Sequence, residues 1–151
     1  LAMPGWRRAF EGRQVVLTPH PGEAARLLDV SIATVQNDRF AAALALAQGF
    51  QAVVVLKGAG TLIACPDGAM AVCSDGNPGM SSGGMGDILC DVIAALLAQG
   101  MTARQAARWG VCLHSAAADR AVAEAGHCGL LATDLLPYLR ILNNQIDGWK
   151  P

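Results

Sequence analysis

Between Ser74 and Gly86 the chain places five glycines and a proline, and this stretch ends in Ser82-Gly83-Gly84-Met85-Gly86-Asp87 at the mouth of its clearest helix. Glycine reaches positive φ without a Cβ penalty, so such a loop is able to wrap its backbone around something. The helix that follows is equally constrained. Ile88, Leu89, Val92, Ile93, Leu96 and Leu97 recur at steps of one and three or four, an apolar arc of about half the circumference that has to be buried, and Gly100 ends it.

The remaining elements follow from local pattern. Gln14 to Thr18 is a β-branched run closed by Pro19 and Pro21, which reads as a strand entering a loop at His20. A helix is predicted over Glu23 to Leu28. From Ser31 the pattern is helical again, with Phe40, Leu44 and Ala47 on one stripe and Gly49 as its stop. The unalternating run Ala52 to Leu56 predicts a strand covered on both faces. Thr61 to Cys65, the Pro66-Asp67-Gly68 turn and Ala69 to Cys73 predict a hairpin. Thr102 and Gln105 form a capping box for a helix reaching about Ala125. A last helix begins after Thr133, with Pro137 in its first turn. No repeat, linker or low-complexity tail divides the chain, so residues 1–151 read as a single α/β unit. Four strands are few for so much apolar helix surface. The expectation is a sheet completed by a further N-terminal part or by a partner subunit.

Composition excludes several classes of function. Eleven Lys and Arg balance 12 Asp and Glu for a net charge of -1, and the adjacent Arg7 and Arg8 are the densest basic stretch, so no nucleic-acid partner is expected. Apolar residues make up 53% and charged residues 15%, which argues for heavy burial and against disorder. The most apolar stretch, Phe40 to Leu56, is interrupted by Gln48, Gly49 and Gln51, so no membrane span is expected, and with no visible leader the expected location is cytoplasmic. Five cysteines without a CxxC argue against a disulfide framework or zinc site and read as ordinary buried thiols.

Three loops carry chemistry. The glycines from Gly83 to Gly86, followed by a helix N-terminus with its unpaired N–H groups and positive partial charge, make an anion hole. Asp87 in the first turn would take a proton from a hydroxyl attacking a phosphoryl group, or would simply favour the helix dipole. No Lys follows the last Gly, so this is not a Walker A loop. The same loop fits G-x-S-x-G over Gly79 to Gly83, with His114 or His127 as base, but an elbow requires a strand running straight into the serine. Lys57-Gly58-Ala59-Gly60-Thr61 joins two strands, either as a plain turn or with Lys57 meeting an anion at the carboxyl edge of the sheet. Thr18-Pro19-His20-Pro21-Gly22-Glu23 fixes His20 between two prolines, as a surface turn or as a ring presented to a ligand. His114 reads as a satisfied packing residue, and His127 adjoins a turn.

Taken together, these motifs resemble the ADP-dependent NAD(P)H-hydrate dehydratase family of the ribokinase-like superfamily. The likeness runs from about Gln14 to Asn143 and rests on TPHPGE at Thr18 to Glu23, VVLKGAGT at Val54 to Thr61 and NPGMSSGGMGD at Asn77 to Asp87, with LHSAAAD and GLLATDLLPYL as weaker segments. The resemblance covers the C-terminal half of a longer domain and so implies an incomplete layered α/β/α sheet. It implies an enzyme that phosphorylates the hydroxyl of hydrated NADH or NADPH from ADP, or ATP in some members, and eliminates phosphate to restore NAD(P)H. Small-molecule kinases of the same superfamily and a non-catalytic nucleotide-binding remnant are the alternatives. Carried over, His20 and Asp87 would contact the hydrated dinucleotide, with Asp87 as base, while Lys57, Gly58, Ala59, Gly60, Thr61 and Gly86 would line the adenine-nucleotide site. Mg²⁺ would accompany the phosphates with no protein ligand assigned, and a homo-oligomer is implied. Cys90 and Asp91 stand where family members have a small residue and a Gly, so Asp91 adds a like charge one turn after Asp87.

Overall fold

The computed structural model describes residue 10 and residues 12–145; Arg7 and Arg8 lie outside them. Four strands, β1 (Val16–Leu17), β2 (Val53–Leu56), β3 (Thr61–Ala64) and β4 (Met70–Cys73), form one sheet in the order β1-β2-β3-β4. Val16 pairs with Val53 in a parallel ladder, whereas β2, β3 and β4 are antiparallel neighbours. Helices α1 (Pro21–Leu28), α2 (Ile32–Asn37) and α3 (Arg39–Phe50) precede β2, and α4 (Met85–Ala98), α5 (Ala103–Ala125) and α6 (Leu135–Asn144) follow β4.

Alternation along β2 explains the layering. Val54 and Leu56 pack with Leu62, Ala64 and the apolar faces of α1 and α3, including Ala43, Leu46 and Ala47. Val53 and Val55 point the other way, into a core with Ile63, Leu89, Ile93, Leu96, Ala107 and Val111 from α4 and α5. All four residues of β2 are therefore buried, as its unalternating sequence requires. A third cluster seats Leu135 and Leu139 of α6 on Leu113, Ala117 and Ala121 of α5. Among the described residues no helix is long and apolar enough to cross a membrane.

Several local expectations hold. The α5 capping box forms, with Thr102 accepting from the Gln105 N–H and Gln105 accepting from that of Thr102. Gly68, at φ +90°, turns the β3–β4 hairpin, and the Cys65 N–H donates to the Ala69 carbonyl. Others do not. The strand expected over Gln14 to Thr18 keeps strand geometry only at Val16–Leu17. The helix from Ser31 is two helices, because Asp38 leaves helical geometry and turns its carboxylate to accept the Ala41 N–H. Phe40 is exposed, the buried stripe running instead through Ala43, Leu46, Ala47 and Phe50. Gly49 lies inside α3, which ends when Gln51 turns left-handed at φ +50°. Only Cys65 and Cys73 are buried; Cys90, Cys112 and Cys128 are exposed free thiols.

Candidate active site at the carboxyl edge of the sheet

The parallel strands β1 and β2 end side by side, tied by the Lys57 N–H to the Pro19 carbonyl at 2.9 Å. Residues just beyond them therefore share one edge, where ligands of open α/β sheets bind. The N-terminus of α4 arrives at the same edge. Gly84, at φ +86°, begins that helix and no side chain caps it, while the Asp87 N–H donates to the Gly84 carbonyl at 3.1 Å. A Cβ on Gly86 would lie 3.1 Å from Lys57 Nζ, so the lysine end crosses this turn closely and would have to give way to any larger side chain there.

A cavity of about 410 Å³ opens beside this turn, within the usual range for small-molecule sites. Lys57, Gly58, Ala59, Gly60, Thr61 and Gly86 all line it. Ser74 to Pro78, and His114 and Ser115 of α5, line it as well. No strand runs into Ser81, which closes a 3-10 turn at Pro78–Ser81, so a nucleophile elbow is absent there.

Two further side chains hold these walls, and no local pattern in the sequence points to their partners. Arg39, at the start of α3, donates to the carbonyls of Leu56, Lys57 and Ala59 and so fastens the Lys57–Thr61 loop from behind. Asp119 of α5 accepts from the Gly76 N–H at 3.1 Å and from Asn77 Nδ2 at 2.8 Å. Asn77 Oδ1 in turn accepts the Gly79 N–H. Asp119 falls in the LHSAAAD segment, but its partners lie more than 40 residues away, beyond the reach of any local pattern.

His20 and Asp87 do not line the cavity. His20 caps α1, its Nδ1 accepting from the N–H groups of Gly22 and Glu23 at 3.0 and 3.1 Å. Glu23 closes this capping box and also faces Lys57 Nζ at 3.8 Å. Thr18 Oγ1 and Cys90 Sγ are 3.0 Å apart, which joins the first loop to α4. Asp87 and Asp91 are both exposed on α4. His114 departs from the expected satisfied packing role. It is 5% exposed, its Nε2 has no partner, and burial pushes its pKa below the ordinary value, opposed by a hydrogen bond to the Met85 backbone.

The donor set suits a metal carried on phosphates rather than one held by a protein cage. Among the described residues no group of three or more His, Cys, Asp or Glu is placed to bind an ion, and Asp75 is the one carboxylate lining the cavity. Magnesium commonly binds in that way, through one or two carboxylates together with substrate phosphates.

A layered α/β/α unit with a glycine-lined cavity at a strand edge and an uncapped helix N-terminus defines a ribokinase-like protein. A ribokinase-like superfamily protein from Enterococcus faecalis superposes with a TM-score of 0.71 at 27% identity, covering 92% of this chain and 49% of that one. Residues 8–140 match the NAD(P)H-hydrate dehydratase family, and the chain belongs to it. It is 57% identical over 129 residues to the bifunctional NAD(P)H-hydrate repair enzyme of Coxiella burnetii, covering 85% of this chain and 26% of that protein. It is 47% identical over 135 residues to the ADP-dependent (S)-NAD(P)H-hydrate dehydratase of Neisseria meningitidis, covering 89% and 46% respectively. The ADP/ATP-dependent NAD(P)H-hydrate dehydratase of Bacillus subtilis, co-crystallised with ATP and Mg²⁺, superposes with a TM-score of 0.82 at 36% identity, covering 87% of this chain and 48% of that one. The chain thus spans about half of these single-activity relatives and a quarter of the bifunctional one.

Proposed function

We propose that this chain is the C-terminal part of an ADP-dependent NAD(P)H-hydrate dehydratase domain, a single α/β unit carrying the adenine-nucleotide site and the catalytic base. The observation that supports this best is the meeting of the Lys57–Thr61 loop and the N-terminal turn of α4 around one cavity. In this reading the nucleotide lies against Gly58, Ala59, Gly60 and Thr61, and its phosphates meet Gly86 and Lys57. Backbone N–H groups and the lysine are fixed before the reaction, so they stabilise charge developing on the phosphoryl oxygens without reorganising.

His20 and Asp87 stand outside that cavity, where they would meet the hydrated nicotinamide. Asp87 takes the proton as the ring hydroxyl attacks the β-phosphoryl group of ADP; the P–O bond to AMP breaks as the new one forms. Phosphate then leaves with the electrons of its C–O bond, a proton is lost from the ring, and NAD(P)H is restored. Asp75, the carboxylate lining the cavity, would face Mg²⁺ carried on the nucleotide phosphates, and the ion would supply neutralisation of their charge. The enzyme would act as a homo-oligomer in the cytoplasm.

Calorimetric titration with ADP and AMP, paired with an assay of hydrated NADH turnover, tests the reading. Nucleotide binding with formation of NADH, AMP and phosphate is the expected result. Binding without turnover would leave a nucleotide-binding remnant, a stable phosphorylated product would indicate a kinase, and no binding at millimolar nucleotide would remove the site.

A further inference from the structure

Glu23 faces three groups at once. Its Oε2 accepts the His20 backbone N–H at 2.7 Å and lies 3.8 Å from Lys57 Nζ, while Oε1 lies 3.5 Å from His20 Nε2. The first contact is the capping box, which fixes the carboxylate in place at the third position of α1. With Nδ1 occupied as an acceptor of two backbone N–H groups, the neutral His20 ring carries its proton on Nε2, toward Glu23. Lys57, in turn, has its ammonium between this carboxylate and Gly86. That is where the helix N-terminus repels a cation and attracts an anion.

We propose that Glu23 is a positioning residue that serves as the built-in counter-ion of Lys57, competing with nucleotide phosphate for that cation and turning to His20 when phosphate takes it. The inference rests on the nucleotide site proposed above. Two anions near one ammonium repel each other, so the carboxylate lowers the affinity of every ligand with a phosphate at Gly86 and leaves a ligand without one unaffected. The same exchange carries a signal between the two loops, since a Glu23 released by Lys57 keeps its capping bond to the His20 N–H and has the His20 ring as its remaining side-chain partner. Antagonism of this kind favours departure of AMP and phosphate, a step that often limits turnover.

Glu23→Gln separates charge from structure, because the glutamine oxygen still accepts the His20 N–H and keeps the capping box. Titration of the whole chain with AMP, ADP and adenosine is the test. AMP and ADP should bind the variant about twofold to fivefold more tightly than the wild type, the range of a partly exposed ion pair, with adenosine unchanged. Equal changes for adenosine and AMP, or weaker AMP binding by the variant, would overturn the proposal. A second measurement needs no variant: in the wild type the His20 ring resonances should shift on adding AMP and stay in place on adding adenosine. Identical responses to the two ligands would also overturn it. A wild type that binds neither AMP nor adenosine would instead sink the nucleotide site itself, and this inference with it.

Discussion

Asp87 follows directly on Gly86, so a single helical step separates the glycine that approaches Lys57 from the carboxylate proposed as base. Asp87→Asn should lower turnover of hydrated NADH by about 10²- to 10⁴-fold while AMP binding persists, because the proposed phosphate site draws on backbone and Lys57 rather than on this carboxylate. Steady-state rates and calorimetry check this together. Full rate in Asp87→Asn with loss in Asp91→Asn would move the base one turn along α4. His114 makes a different prediction. Burial depresses its pKa below 6.5, so the unfolded chain takes up a proton more readily than the folded one. Its neutral form stabilises the fold fully above pH 6.5, and that contribution is lost as pH falls below 6.5 toward the lower folded value. Thermal melts should therefore show Tm dropping between pH 7.5 and 5, with a shallower slope in His114→Gln. Lys57 and Gly86 were legible in the sequence because glycine spacing reports backbone approach. Arg39 and Asp119 were not, since each works through backbone groups of loops distant in sequence.

At the scale of elements, caps and close approaches decide more than propensity does. The Thr102–Gln105 box was readable because both partners lie within one turn. By contrast, the Asp38 break was hidden inside a continuous helical pattern, and Gln51 ends α3 in a conformation usually given to glycine. Gly110 shows a contact that no one-dimensional pattern reveals: a Cβ there would lie 2.6 Å from Ile93 Cγ1, because α4 and α5 cross at this point. Gly110→Ala should raise local helix propensity yet destabilise the protein by about 1–3 kcal/mol, as overpacking does. A denaturation series compared with wild type checks the sign. Gly86→Ala should leave the melting curve near wild type and weaken AMP binding, since its Cβ meets the mobile end of Lys57 rather than a packed core.

Among the described residues, Val30, Ile32, Phe40, Val72, Leu131, Leu136 and Ile141 are exposed, and β1 contributes two residues to an edge of the sheet with one strand neighbour. Exposed apolar surface together with an open strand edge favours association. Light scattering should show the 15.6 kDa chain forming oligomers that weaken on dilution and bind a hydrophobic dye less as they form; a clean monomer without dye binding would contradict this. Pattern along the chain was enough for the helical and strand periodicities, the α5 cap, the hairpin turn, and three loops marked out by their glycine, proline and lysine spacing. These are local, because each follows from residues within a turn or two of one another. Tertiary structure alone decided that those loops meet at one sheet edge, that His20 and Asp87 fall outside the cavity lined by Lys57 and Gly86, and that Arg39, Asp119 and Glu23 hold the loops in register. Such facts depend on which backbone atoms the packed layers bring within bonding distance, and separation along a chain carries no record of that.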